Sequence, residues 1–258
     1  QPDCPVKLSV HIKVDSGMSR LGQTVENAES FLLSARSRPE FEVSGLFTHL
    51  ATADSDDLSA ANAQLDRFEE LVEALTVKGL RPPLVHVSNS AAILRLERGN
   101  RYDLVRAGIA LYGLAPSEAC PVGKGIEPIL SLKTRVISVK NLPRGAAVSY
   151  GGRYIVEAET EKIAVIALGY ADGFRRMAGN RVLIRGVSCP VVGTVCMDQC
   201  MVHVPDELPV QEGDEVVVIG RQVEAQILVS EVAERWETIA YEVTCGLSPR
   251  VRRVYCED

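Results

Sequence analysis

This chain predicts an α/β segment followed by an all-β segment: a partial (β/α)8 TIM barrel over residues 1–122, then a β-strand-rich C-terminal domain over 123–258. Three observations carry that expectation. In the first half, apolar runs of strand length alternate with stretches of helical periodicity, the pattern of parallel strands joined by crossover helices. In the second half, short β-rich runs follow one another, split by Gly, Pro and Asp, with one amphipathic stretch among them. Between the halves, Pro, Ser and Gly cluster over 115–127. A whole barrel needs about 250 residues, so the first segment holds roughly half of one. The other strands are expected to lie outside these residues.

Each element follows in order. Residues 8–14 read as a first strand, and a glycine-punctuated loop occupies 16–22. Residues 25–38 have helical composition, with Phe31, Leu32 and Leu33 as the apolar face. Residues 45–50 form a second strand that ends at His49. Ser59 is placed to cap a long helix in which Leu65, Phe68, Leu71, Val72 and Leu75 recur at helical spacing until Gly79 stops it. Residues 84–87 are a third strand leading through Ser88, Asn89 and Ser90 into a short helix over 91–96. Short apolar runs at 103–105 and 109–111 flank Arg106 and Gly108. In the second half 130–142 alternates as a strand, with turns at 143–145 and 151–152. Strand runs at 163–168, 181–184, 190–195, 201–204 and 215–219 follow. A helix over 230–241 carries Val232, Ala233, Trp236 and Ile239 or Ala240 on one side.

Composition excludes several classes. The 258 residues are 46% hydrophobic and 24% charged, with a formal charge of -6. A mildly acidic surface has no electrostatic footprint for nucleic acid or an anionic membrane. The basic residues are scattered except for Arg250, Arg252 and Arg253, which read as a solvated or salt-bridged edge. No run approaches the ~18 consecutive apolar residues of a membrane span. Residues 1–5 have neither a basic stretch nor an apolar core, so no secretory signal is read there, and the chain starts as though from the middle of a longer one. Seven cysteines at irregular spacing argue against a disulfide framework and for a reducing cytoplasm. Cys196 and Cys200 lie four apart, but no second pair completes a zinc site, so no metal is expected.

On a (β/α)8 scaffold, polar residues just past the strand C-terminal ends face the active-site mouth. Three ends carry such groups: His49 with Thr48, His86 with Asn89 and Ser90, and Arg106 with Gly108. A buried, satisfied histidine explains His49 or His86 taken singly; polar groups at all three ends favour a site. RAGIALYG at 106–113 offers backbone N–H groups at a glycine turn, suited to a phosphate. In the second half, SYG at 149–151, GYADG at 169–173 and CMD at 196–198 set polar or aromatic residues beside turns. Turn chemistry and packing account for these by themselves, and composition alone does not make Tyr150 catalytic.

Taken in order, nine segments resemble the alanine racemases from end to end of the chain. They are HIKVDSGMSRLG at 11–22, GLFTH at 45–49, ATAD at 51–54, HVSNSAA at 86–92, VRAGIALYGLAPS at 105–117, VSYG at 148–151, GYADG at 169–173, VGTVCMDQCM at 192–201 and ETIAYEV at 237–243. The resemblance implies a pyridoxal 5'-phosphate (PLP) enzyme of fold type III with a barrel and a C-terminal β-domain. It implies that Ser90, the Gly108 and Ile109 amides and the Tyr241 hydroxyl hold the cofactor phosphate, with His49 against the ring. Arg106 is expected at the pyridine nitrogen with His86 behind it; a guanidinium cannot accept a proton, so that nitrogen would stay unprotonated. Arg20 is expected at the phenolic oxygen and the substrate carboxylate, oriented by Lys13, which matches a lysine carbamylated in many relatives. Tyr150 matches the base that takes the proton from L-alanine across a dimer interface, with Met197 at the substrate. Asp54, Tyr170, Arg176, Ile239 and Asp198 match the substrate entryway.

The second base would be the Schiff-base lysine of the first barrel strand, expected outside these residues, so the chain by itself is expected to be inactive. The family implies a cytoplasmic homodimer with shared active sites, acting on a small amino acid and supplying D-alanine for peptidoglycan. Two positions depart from the pattern: Phe47 stands where tyrosine is usual, and Thr194 where arginine is frequent. Alternatives at this point are a racemase of serine or another small amino acid, a split or degenerate PLP-binding module, and a metal-dependent barrel hydrolase using His49, His86 and Asp54.

Overall fold

A computed structural model describes residues 7–256; the sequence reading of residues 1–5 lies outside the described residues. The backbone divides into two compact units, Gln1–Glu127 and Pro128–Asp258.

In the first unit, β1 (Leu8–Asp15), β2 (Gln23–Thr24), β3 (Phe41–Phe47) and β4 (Leu84–His86) form a sheet in the order β2-β1-β3-β4. Every pairing is parallel, and a parallel bridge from His86 to Leu104 extends the sheet. Helices α1 (Val25–Arg36), α2 (Ser59–Val77) and α3 (Ser90–Arg95) alternate with the strands. Parallel neighbours in chain order, joined by helical crossovers, are the wall of a (β/α)8-type barrel. One sheet face buries Ile12, Val14, Leu46 and Val85 in a core with Leu32, Leu65, Phe68 and Leu75. Side chains alternate along a strand, so the other face carries His11, Lys13 and Asp15 of β1. Register sets His11 beside Gly45, Lys13 beside Phe47, and Phe47 beside His86.

Several local expectations change. β3 covers Phe41–Phe47, so His49 stands two residues beyond the strand end. On α1 only Leu32 of the three apolar residues is buried, together with Ala28 one turn earlier, while Phe31 and Leu33 are 45% and 46% exposed. Consecutive helical residues point about 100° apart, so three in a row cannot share one face. Ser59 is the first residue of α2 rather than its cap; its amide and hydroxyl both donate to Asp57 Oδ1, at 2.8 and 2.5 Å. Residues 109–111 fall in a 3₁₀ turn, Ile109–Tyr112.

In the second unit, β5 (Leu132–Pro143), β6 (Ala147–Val148), β7 (Tyr154–Ile155), β8 (Thr160–Ile166), β9 (Arg181–Ile184), β10 (Val187–Val192), β11 (Cys200–Val204), β12 (Glu215–Gln222) and β13 (Ala225–Ile227) pair antiparallel throughout. Strands β12-β5-β8-β11-β10-β9 run side by side, and β9 pairs back to β12. The result is a closed six-stranded barrel with β13 as a hairpin partner of β12, while β6 and β7 form a separate ribbon. Its interior is aliphatic: Ile166, Val182, Ile184, Val202, Val216 and Val218 are all buried. The run expected at 190–195 is shifted: β10 ends at Val192, and Gly193 turns with φ 69°.

The single helix expected over 230–241 is two, α4 (Val229–Arg235) and α5 (Ala240–Cys245). Glu237 lies between them with φ 52°, a left-handed residue that no α-helix accommodates. Amphipathic spacing runs through the break because Trp236 is buried in its own right, its Nε1 donating to Asn180 Oδ1 at 2.7 Å. Among the described residues no helix is long and apolar enough to cross a membrane.

Candidate active site

The loop after β1 is built tightly. Asp15 Oδ1 accepts the amides of Gly17, Met18 and Ser19 at 2.9, 2.9 and 3.0 Å. These bonds, the one from Ser19 foremost, hold the Asp15 carboxyl below the usual carboxylate range. The turn they impose includes Ser19 at φ 57° and leads directly to the exposed Arg20. From α2, Arg67 donates Nε and Nη2 to the Ser16 carbonyl at 3.0 and 2.6 Å. Gln64, one turn earlier, accepts the Ala51 amide at 2.8 Å and donates to the His49 carbonyl at 3.4 Å. One helix face therefore pins the loops after β1 and β3, and the buried Ser16 and Thr48 hydroxyls join those loops at 2.8 Å.

His49 is half-buried at the head of the second loop. Burial first, then the charges of Arg106, Arg20 and Lys13, lower its pKa. Three of the cations expected from the sequence thus act on one imidazole through their charge, Arg106 from 3.4 Å. Asn89 approaches His49 Nε2 at 3.4 Å with Nδ2 while its Oδ1 caps α3 through the Ala92 amide at 3.0 Å.

Arg106 is the best-anchored of these cations. Its Nη2 donates to the carbonyls of Thr48 and Val87, both at 2.9 Å, and lies 3.4 Å from His49 Nδ1. Its Nη1 donates to His86 Nδ1 at 2.5 Å. A guanidinium has five N–H donors and no acceptor, which leaves one Nη1 hydrogen and the Nε hydrogen without an acceptor among the described residues. Phe47 stacks flat on His86, ring centroids 4.8 Å apart, and Arg106 sits 5.2 Å over the Phe47 ring. The phenylalanine that departs from the family pattern is therefore the floor of this cluster.

His86 is buried, and burial, then the charge of Arg106, then His11, push its pKa down to about 4. Sequence reasoning missed His11, whose Nδ1 lies 2.8 Å from His86 Nε2. The signal was available: His11 stands two residues before Lys13 and so on the same strand face.

Ser90, first residue of α3, accepts the amides of Gly108 and Ala110 on Oγ at 2.8 and 3.3 Å, which leaves its hydroxyl hydrogen for another acceptor. Ile109 is buried beside it. Asp54 accepts the Ser117 hydroxyl on its backbone carbonyl at 2.5 Å. Among the described residues no three His, Cys, Asp or Glu side chains group to hold a metal ion; His49, His86 and Asp54 form no such set.

The second unit has its own cavity, about 520 Å³, lined by Tyr150, Tyr170, Arg176, Cys196, Met197 and Asp198 among others. Ser149, at φ 67°, turns the chain into Tyr150 and donates its hydroxyl to the Thr194 carbonyl at 2.7 Å. The buried Thr194 hydroxyl answers by donating to the Tyr150 carbonyl at 3.0 Å. Tyr170 and Ala171 donate their amides to the carbonyls of Cys196 and Met197, both at 3.0 Å. That approach requires glycine at 169, where a Cβ would lie 2.2 Å from the Met197 oxygen. Arg250 ties the two turns together, Nε to Asp172 at 3.0 Å and Nη2 to Asp198 at 2.6 Å. Ile239 is exposed just before α5, and Tyr241 is the second residue of that helix. Of the residues expected in this half, five line the cavity; Ile239 and Tyr241 are not among its lining.

A partial parallel β/α barrel with cations at its strand ends, followed by an antiparallel β-domain, is the architecture of the fold-type III class. The family model for the alanine racemase N-terminal domain matches residues 3–116, and that for the C-terminal domain matches 129–255. The alanine racemase of Symbiobacterium thermophilum is 46% identical over 248 residues, which are 95% of this chain and 65% of that protein. The crystal structure of alanine racemase from E. faecalis superposes with a TM-score of 0.88 at 39% identity, over 97% of this chain and 67% of that one. The alanine racemase of Bacillus anthracis with bound L-Ala-P superposes with a TM-score of 0.86 at 41% identity, over 94% and 63%. The chain belongs to the alanine racemase family. It spans about two thirds of the length of the curated relatives it matches.

Proposed function

We propose that the protein interconverts L- and D-alanine with PLP as cofactor. The observation that carries this reading is Arg106: a half-buried, donor-only cation backed by a neutral His86, with two N–H groups free of acceptors among the described residues. Such a group suits an uncharged aromatic nitrogen. Lys13, Arg20 and Arg106 around His49, with the Ser90 hydroxyl, suit the remaining anionic groups of the same ligand. When bound, PLP supplies an electron-withdrawing ring that acidifies the substrate Cα–H. Arg106, which keeps its own protons, would hold the ring nitrogen by donating to it and would not protonate it.

In this reading the Ser90 hydroxyl and the Ile109 amide bind the phosphate, with Tyr241 as a further ligand; the Gly108 amide, expected there from the sequence, is given to Ser90 Oγ at 2.8 Å and joins them only by exchanging that acceptor for the phosphate. His49 supports the ring, Arg20 orients the substrate carboxylate, and Lys13 orients Arg20, as a carbamate where it is modified. Tyr150 removes or returns the Cα proton at its hydroxyl on one face of the substrate. Tyr150 and Met197 serve the site of a second copy in a cytoplasmic homodimer, and Asp54, Tyr170, Arg176, Ile239 and Asp198 line the path in. D-alanine would feed peptidoglycan synthesis.

The test is D-alanine formation by the full-length protein with PLP, with and without Tyr150→Phe. A general base contributes typically 10²–10⁴-fold, so a loss of about 10³-fold is expected. Undiminished turnover in the Tyr150→Phe protein would remove the base from this assignment; no PLP absorption band in the wild-type protein would remove the cofactor.

A further inference from the structure

Arg106 is held on one side by backbone carbonyls and on the other by one imidazole, which is itself held by a second imidazole. The chain of contacts runs Arg106 Nη1 to His86 Nδ1 at 2.5 Å, then His86 Nε2 to His11 Nδ1 at 2.8 Å. Its proton positions follow from valence. Arg106 can only donate, so His86 Nδ1 accepts. His86 is neutral, so its one proton sits on Nε2 and is donated to His11. His11 Nδ1 is then an acceptor, and the proton of its own neutral ring is on Nε2.

We propose that His11 is a positioning residue: by accepting the His86 Nε2 proton it locks the His86 ring with Nδ1 toward Arg106, and so fixes where the guanidinium points.

Three independent features of the fold are arranged around His11. First, Gly45 lies beside it in the sheet register, and a Cβ there would sit 2.4 Å from its Cγ and Nδ1. Only a glycine leaves the ring its place. Second, the β1–β3 register shifts between Val10 and His11, so a local irregularity sets the presentation of this one side chain. Third, Phe47 stacks flat on His86 from the neighbouring strand, a contact that is the same for the ring and for the ring turned 180° about Cβ–Cγ, so that flip is the freedom still to be restrained. The His11 hydrogen bond removes that freedom. A flipped His86 would offer carbon to Arg106 and leave a half-buried guanidinium hydrogen unpaired. Hydrogen bonds in series also polarise one another, so the His11 contact strengthens His86 as an acceptor.

The consequence for the cofactor rests on the function proposed above; the His11–His86 contact does not. The experiment separates them. The full-length protein is labelled with ¹⁵N-histidine and compared with His11→Gln, which keeps a side-chain acceptor, and His11→Leu, which keeps the bulk and loses the acceptor. Two-bond ¹H–¹⁵N correlation spectra without PLP are expected to show His86 protonated on Nε2 in the wild type and in His11→Gln. In His11→Leu the His86 nitrogen shifts should move toward an averaged ring. Loss of one hydrogen bond of about 1 kcal/mol predicts PLP binding weaker by roughly 5- to 10-fold in His11→Leu, restored in His11→Gln. A wild-type His86 protonated on Nδ1, or nitrogen shifts unchanged in His11→Leu, would overturn the proposal whatever the variants do to folding. Shifts that move as expected while PLP fails to bind any of the three proteins would leave His11 in place and overturn the cofactor reading instead.

Discussion

The two units present reactive side chains by opposite means. In the first, strands are parallel, so their C-terminal ends all lie at one side, and His49, His86 and Arg106 meet from separate strands through side-chain contacts, with Gly45 clearing the place of His11. In the second, strands are antiparallel and closed, so strand ends alternate. Tyr150, Tyr170 and Met197 then depend on turns bonded to one another through carbonyls, hydroxyls and a bare Cα. The lesson concerns tolerance. A convergent site relies on side-chain partners, whereas a turn-built site relies on the backbone and should break more sharply under small substitutions.

The largest contrast is expected between two Gly→Ala changes. In Gly169→Ala the new Cβ would meet the Met197 and Cys196 oxygens at 2.2 and 2.4 Å, separating the turns that wall the cavity. A stability loss of about 3 kcal/mol or more is expected in urea denaturation. In Gly108→Ala the Cβ meets only Ser90 Oγ at 3.6 Å, ordinary contact, and less than about 1 kcal/mol is expected. Equal losses would erase the distinction.

The first unit should instead reveal itself through pH. The folded pKa of His86 lies at about 4 against an ordinary value of 6.5, so as pH falls the unfolded chain takes up the proton first. Stability is therefore full above pH 6.5 and is lost progressively down to about 4, by on the order of 3 kcal/mol. His49 adds in the same direction. Denaturation at pH 7 and pH 5 should show the difference, and His86→Gln should remove most of it.

Thr194→Val sharpens the comparison on the other side. It keeps the bulk and removes the hydroxyl that holds the Tyr150 carbonyl. A cost of about 1 kcal/mol is expected, together with a fall in turnover larger than any change in PLP affinity. The smallest effect is expected on α1, where Leu33→Ala should cost under about 0.5 kcal/mol because that side chain is 46% exposed. Leu32→Ala, in the core, should cost about 2–4 kcal/mol.

Much of both units was legible locally. The period-two run around Ile12 and Val14, and the spacing of Leu65, Phe68, Leu71, Val72 and Leu75 up to Gly79, name β1 and α2 without help. The polar groups at the three strand ends were readable because parallel topology makes such ends meet. Less local features were not. Glu237 breaks a helix whose apolar spacing continues across the break, since a buried Trp236 serves the core on either reading. Asp57 rather than Ser59 supplies the acceptor at the start of α2, a choice that depends on the loop before it. Thr194 reads as a plain departure until its hydroxyl is found on the Tyr150 carbonyl.

By itself, the sequence determined the alternation of elements, the change from α/β to all-β near residue 120 and the identity of most candidate groups. The elements follow from periodicity and turn chemistry, which act over a few residues, whereas most candidate groups were named by the resemblance of ordered segments to a family. Tertiary structure decided which of them touch: His11 with His86, α2 with two separate loops, Arg250 with two aspartates. Such contacts join positions tens of residues apart, and strand register and close backbone approach set them only after the chain has packed.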